Sequence, residues 1–204
     1  MDADAIDRVM MTRCIDLAKD SGKAGEYPYA AVICRRGKIV AESTNRVKRD
    51  RDVTRHAEMA AISIAQNKLS AVSLDDCDIY TNAEPCAMCS FAIRESRIRR
   101  VIYALSSPHM GGLSKWNVLN NSDLSATMPE VFASPPEIIS GYMEKEAEQG
   151  LTEWNPLIAA IIKRRGLFVS SSRASAQMRA RPVGKCGCAL RFLRRNFFDH
   201  FGRR

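Results

Sequence analysis

Two short stretches must meet for this chain to make chemical sense, and their meeting limits the folds open to it. One is His56-Ala57-Glu58, at the head of the apolar run AEMAAISIAQNKL; the other, further along, is Pro85-Cys86-Ala87-Met88-Cys89. Cysteines three residues apart share one face of a helical first turn, so both thiolates can reach one metal ion. The positive end of that helix favours their ionised form. Zinc in a catalytic site takes three protein ligands and keeps a fourth position for water, and His56 can supply the third. Glu58 is then left beside the metal as a carboxylate suited to carrying protons. Taken alone, these patterns have other uses. A C-x-x-C is also half of a structural zinc site or a redox pair, and Cys186-Gly187-Cys188 offers further thiols in the tail.

The rest of the chain reads as layered α/β. Residues 5–21 place Ile6, Val9, Met10, Cys14, Leu17 and Ala18 on one face of a helix that Gly22 ends. YAAVICRRGKIVAEST gives two β-rich runs joined in a hairpin around Gly37. A helix starts near His56, CDIYTN (77–82) is a strand, CAMCSFAIRES (86–96) a helix and RRVIYAL (99–105) a buried strand. Residues 106–125 are rich in Gly, Ser and Asn and read as a loop region. EIISGYMEKEAEQG and NPLIAAIIKRR read as two C-terminal helices. Strand, helix, strand, helix, strand in succession predicts a mixed sheet between helices.

H-x-E followed by P-C-x-x-C is the signature of zinc-dependent nucleobase deaminases. With STNRV, DVTRHAE, IYTNAEPCAMC and RRVIYAL in order, the chain resembles the cytidine deaminase-like superfamily. Within it the likeness is to the branch holding tRNA adenosine deaminases, guanine deaminases and small cytosine deaminases, and it covers about residues 5–165. The resemblance implies a three-layer α-β-α domain with a mixed, roughly five-stranded sheet. It implies one Zn²⁺ per chain on His56, Cys86 and Cys89, hydrolytic deamination with Glu58 as proton carrier, and a homodimer. Asn45 is the expected grip on the base, with Ala57 and His109 as further substrate contacts. Trp116, Trp154, Glu144 and Glu153 are open to pocket or structural roles, and Glu84 reads as a structural residue holding the loop before Pro85.

Charge bears on the substrate. The net charge is +8, but residues 163–204 carry 12 Lys and Arg against one acid, Asp199, whereas residues 1–162 carry 19 against 22. The basicity belongs to the tail, which weakens the case for a body that attracts phosphates. A deaminase domain over 1–165 and a basic, disordered tail over 166–204 are expected, with LRFLRRNFFDHF able to form a short amphipathic helix. Beside the predicted pocket stand Arg46, Lys48, Arg49, Arg51 and Arg55, interrupted by Asp50 and Asp52. A free nucleobase or nucleoside is the favoured substrate, tRNA adenosine the alternative, and a catalytically silent zinc fold a third reading. The acidic N-terminus lacks a secretory pattern, and no apolar run approaches the roughly 18 residues of a membrane span. Seven cysteines, an odd and scattered set, fit reduced thiols in the cytoplasm.

Overall fold

Side chains alternate between two apolar faces along each central strand, and that alternation sets the layers. In the computed structural model, which describes residues 2–170, five strands form one mixed sheet: β1 (Ala30–Arg35), β2 (Lys38–Thr44), β3 (Cys77–Ala83), β4 (Arg100–Leu105) and β5 (Glu137–Ser140). Their spatial order is β2-β1-β3-β4-β5. β1 is antiparallel to β2 and β3, whereas β3, β4 and β5 run parallel. Ala31, Ile33, Ile79, Val101 and Tyr103 face α3 (Ala57–Leu69) and α4 (Ala87–Glu95). Val32, Cys34, Tyr80, Ile102 and Ala104 face α1 (Ala3–Lys23) and α6 (Glu144–Trp154). Three layers result, as expected. Short helices α2 (Val47–Asp50) and α5 (Ser122–Thr127) lie in connections, and α7 (Pro156–Arg165) follows α6.

Local chemistry explains most element ends. Asp2 caps α1 by accepting from the Ala5 N–H, at 2.8 Å. The β1–β2 hairpin turns through Arg36 and Gly37, both at positive φ (52° and 75°), the twist such a tight turn requires. Asn155 caps α7 and Pro156 opens it.

Three expectations need correction. The EIIS stretch is a strand, β5, not the start of a helix. Its two β-branched residues pair in register with Val101 and Ile102, and Gly141, at φ 79°, turns the chain out of the sheet before α6 begins. The buried face of α1 is turned from the expected one: Met11 and Ile15 are buried, whereas Val9 is half exposed. Nor does Gly22 end that helix, which continues to Lys23. Its missing side chain instead admits Trp154 of α6, since an added Cβ would stand 2.6 Å from the indole Cδ1. Trp154 is therefore a helix-packing residue, grouped with Ile158, Ile162 and Leu167, and not a pocket wall.

Of the tail expected from residue 166, Leu167 and Val169 are buried against the domain. Residues 171–204, with the anticipated amphipathic segment, lie outside the described residues. No helix among those described is long and apolar enough to cross a membrane.

Substituting Gly22→Ala should force α1 and α6 apart and lower the unfolding free energy by about 1–3 kcal/mol. The midpoint of urea denaturation at unchanged slope measures it.

Candidate active site

His56 and Cys86 occupy the same place on two different helices. Each is the N-cap residue, of α3 and α4 respectively, with extended backbone (ψ 151° and 174°) and no side-chain bond back to its own helix. Freed from capping, both side chains turn towards one point. His56 Nδ1 lies 3.6 Å from Cys86 Sγ and 3.4 Å from Cys89 Sγ, and the two sulfurs are 3.6 Å apart. Zn–S bonds of about 2.3 Å and Zn–N bonds of about 2.0–2.1 Å, arranged tetrahedrally, separate the ligand atoms by about 3.6–3.8 Å. The three atoms stand close to the corners of such a tetrahedron, and the cluster fits a zinc site.

Electrostatics agree with that use. Two helix N-termini, each carrying partial positive charge, converge on the thiols. The Cys86 thiol is pushed down to about 4, chiefly by its hydrogen bond with Cys89, with His56 assisting. Cys89 is raised in turn by its hydrogen bond with Cys86 and by burial, and His56 is raised through its bond with Cys86. Metal binding requires both thiols as thiolates and so displaces the protons they hold. Glu58, in the first turn of α3, is buried; burial raises its pKa, while the His56 charge opposes that.

The remaining predicted residues sit around this centre. Ala57 is fully buried at the first position of α3, where a backbone N–H has no partner within its helix. Asn45 is buried just past β2. Its Oδ1 accepts from Val47 N at 3.0 Å, and its backbone N–H donates to Tyr29 O at 2.8 Å. His109 lies half-buried in a tight turn closed by Gly111 N to Ser107 O (2.7 Å), and Gly111 pairs with Cys86. Trp116 is exposed, and Glu153 is paired with Lys19 at 3.2 Å on the outer helices.

Several further residues, Glu84 alone among them singled out in the sequence, hold the loops around the site. Glu84 is structural, but it organises the loop after β4. Its carboxylate accepts from the N–H groups of Ser107 (2.6 Å), Leu113 (3.0 Å) and Ser114 (2.6 Å), and from the Ser114 hydroxyl (2.6 Å). Gly111 and Gly112 let that loop press against Glu84 and Ser90, where any Cβ would collide with those side chains. Arg94, on α4, is buried without a carboxylate partner among the described residues and donates to Val118, Asn121 and Ala133 carbonyls and to Ser125 Oγ, at 2.6–3.0 Å. Glu26 accepts from the backbone of Tyr27, Lys48 and Arg49, tying the stretch after Asn45 to the entry of β1.

Comparison with known proteins gives the centre its family. The model of the cytidine and deoxycytidylate deaminase zinc-binding region matches residues 4–105. The chain belongs to this deaminase family. It is 40% identical over 109 residues to the tRNA-specific adenosine deaminase of Aquifex aeolicus, covering 53% of this chain and 72% of that one. It is 44% identical over 95 residues to the guanine deaminase of Bacillus subtilis, covering 46% and 61%. The crystal structure of the NE0047 N66Q mutant with 8-azaguanine superposes with a TM-score of 0.62 at 27% identity, over 74% of this chain and 85% of that one. The matched region is the family's zinc-binding one, and the His56-Cys86-Cys89 cluster within it fits a zinc site.

Replacing His56, Cys86 or Cys89 by Ala should take the metal content of purified protein from about one zinc per chain to near zero. Elemental analysis after dialysis reads this directly, and a variant that keeps full zinc would remove that residue from the ligand set.

Proposed function

We propose that this deaminase hydrolyses the exocyclic amine of a free nucleobase or nucleoside, releasing ammonia. The observation that carries the reaction is a buried carboxylate, Glu58, beside the His56-Cys86-Cys89 cluster. Zinc, when bound, supplies Lewis acidity that brings the pKa of water towards neutrality. Glu58 does the proton work. It takes a proton from the attacking water and delivers it to the ring nitrogen next to the carbon under attack, then takes the second proton from the added hydroxyl and passes it to the departing amine. Water adds one oxygen to the ring carbon and the C–N bond breaks, so the products are a ring carbonyl and ammonia. Burial helps by raising the proton affinity of Glu58 towards the working range of a carrier.

In this reading Asn45 grips the base edge through its amide, the Ala57 N–H offers a donor, and His109 contacts the base from the loop after β4. Asn45 NH₂ donates to no group among the described residues, which leaves it available to a ring acceptor.

The state of the basic run supports a small substrate. Arg46 pairs with Asp50 at 2.9 Å, Arg49 with Asp50 at 3.3 Å and Arg55 with Asp52 at 3.2 Å. Lys48 Nζ donates to Gly25 O and lies 4.4 Å from the Tyr27 ring centroid. Cations so engaged form a poor track for an RNA backbone. Identity to tRNA-specific adenosine deaminases favours a second reading, conversion of adenosine to inosine in tRNA. The proposal includes a homodimer, supported by Phe91 left exposed on α4 and Met110 and Trp116 on the loop after β4, and a cytoplasmic setting, supported by five free cysteines among the described residues.

Glu58→Ala should keep zinc and lose about 10²- to 10⁴-fold in turnover; near-normal turnover would end its role as proton carrier. Ammonia release from a panel of free bases and nucleosides, run beside unmodified tRNA assayed for inosine, decides between the two substrates.

A further inference from the structure

Asn45 is held by more than its own strand. It leaves the end of β2, and its backbone N–H donates to Tyr29 O at 2.8 Å. The next residue, Arg46, donates its N–H to Arg55 O at 3.0 Å. Residues 46–55, α2 included, are therefore a closed excursion whose far end is the residue before His56. That bond sets Asn45 beside the His56-Cys86-Cys89 cluster, and what holds the excursion bears on how the Asn45 amide lies.

Three successive N–H groups open α2, those of Val47, Lys48 and Arg49, and none has an acceptor within its own helix. Arg46, the N-cap residue, makes no side-chain bond to them. Val47 N donates to Asn45 Oδ1 at 3.0 Å, whereas Lys48 N and Arg49 N both donate to Glu26 Oε2, at 2.9 and 3.0 Å. A backbone N–H only donates, so the Asn45 atom that meets Val47 is the amide oxygen, and the NH₂ is turned away from it. Glu26 is buried, and its second oxygen, Oε1, accepts from Tyr27 N at 2.9 Å. Its own backbone is tied to the last turns of α1: Glu26 N donates to Ser21 O at 3.1 Å, and Ser21 Oγ donates to Tyr27 O at 3.0 Å. One carboxylate thus links the end of α1 to the residues that follow Asn45.

We propose that Glu26 is a positioning residue for base recognition. By taking the Lys48 and Arg49 N–H groups it leaves Asn45 Oδ1 committed to Val47, so the amide meets the substrate as a donor and selects a base that offers an acceptor on that edge. The inference rests on the small-substrate reading and deepens it. The residue type follows from the bonding, because both Glu26 oxygens accept. A glutamine of the same size brings one oxygen and one NH₂, so either Tyr27 N or the pair at α2 loses its acceptor. An unsatisfied pair there competes for the Asn45 oxygen or frays α2, and in both cases Val47 gives up its partner.

The test compares full-length, zinc-loaded wild type with Glu26→Gln, Asn45→Ala and the double variant. In Glu26→Gln the amides of Val47, Lys48 and Arg49 should exchange hydrogen about tenfold faster, with those of Ile79 and Val101 in the sheet unchanged. For ammonia release from guanine and from cytosine, KM should rise about tenfold while kcat stays within about twofold. Once Asn45 is Ala, the same substitution should cost less than about twofold in kcat/KM. A Val47 amide that keeps its protection overturns the proposal. So does an equal loss with and without Asn45, or exchange that quickens across the sheet as well, since each marks an effect that does not pass through the Asn45 amide. Failure of the small-substrate reading shows separately, as wild-type protein releasing no ammonia from any free base or nucleoside, and the exchange pattern still decides whether Glu26 holds that amide.

Discussion

Two helices pointing their N-termini at one spot is the arrangement on which this molecule depends. A helix start leaves backbone N–H groups unpaired and a partial positive charge exposed, and a polar N-cap side chain commonly bonds to those groups. At α3 and α4 the N-cap side chains, His56 and Cys86, are withheld from that duty and spent on each other and on Cys89. What the helices forgo in capping they recover by stabilising thiolate at Cys86. The parallel pairing of β3 with β4 makes this possible, because the crossover helix α4 must then start at the same edge where β3 stops.

Holding that edge in place falls to charges with backbone partners. Hydrogen bonds to charged groups contribute about 1.5–3 kcal/mol each, roughly twice the neutral ones. The Glu84 carboxylate, buried one residue before Pro85, accepts from three N–H groups and a hydroxyl of the loop after β4, offsetting the entropy of ordering a long connection. From the other side of α4, Arg94 does the same with carbonyls further along the chain. One helix thus carries two thiols of the metal-fitting cluster at its start and an anchor for the connection after β4 near its end, so a shift in α4 would move both.

How much of this could be read beforehand follows from how local each interaction is. The meeting of His56, Cys86 and Cys89 was legible because a helical first turn fixes spacing, and spacing survives in sequence. The hairpin at Gly37 was legible for the same reason. β5 was not, since four residues running straight into a helical pattern are settled by pairing with β4, not by their own periodicity. The burial of Arg94 depends on carbonyls 24 to 39 residues away, and an arginine on a helix otherwise reads as a solvated surface residue. Gly22 looked like a stop because its real partner, Trp154, lies on a helix far along the chain.

Substrate selection follows from the same contrast between local and distant contacts. The run Arg46–Arg55 has the composition of a phosphate track, yet its own Asp50 and Asp52 answer the arginines at close range. At exposed sites such pairs are worth little in stability, but they matter for recognition, because a phosphate must displace a carboxylate already in place. An uncharged heterocycle has no need of those cations, which supports the proposed free base or nucleoside over a polyanion carrying the same base.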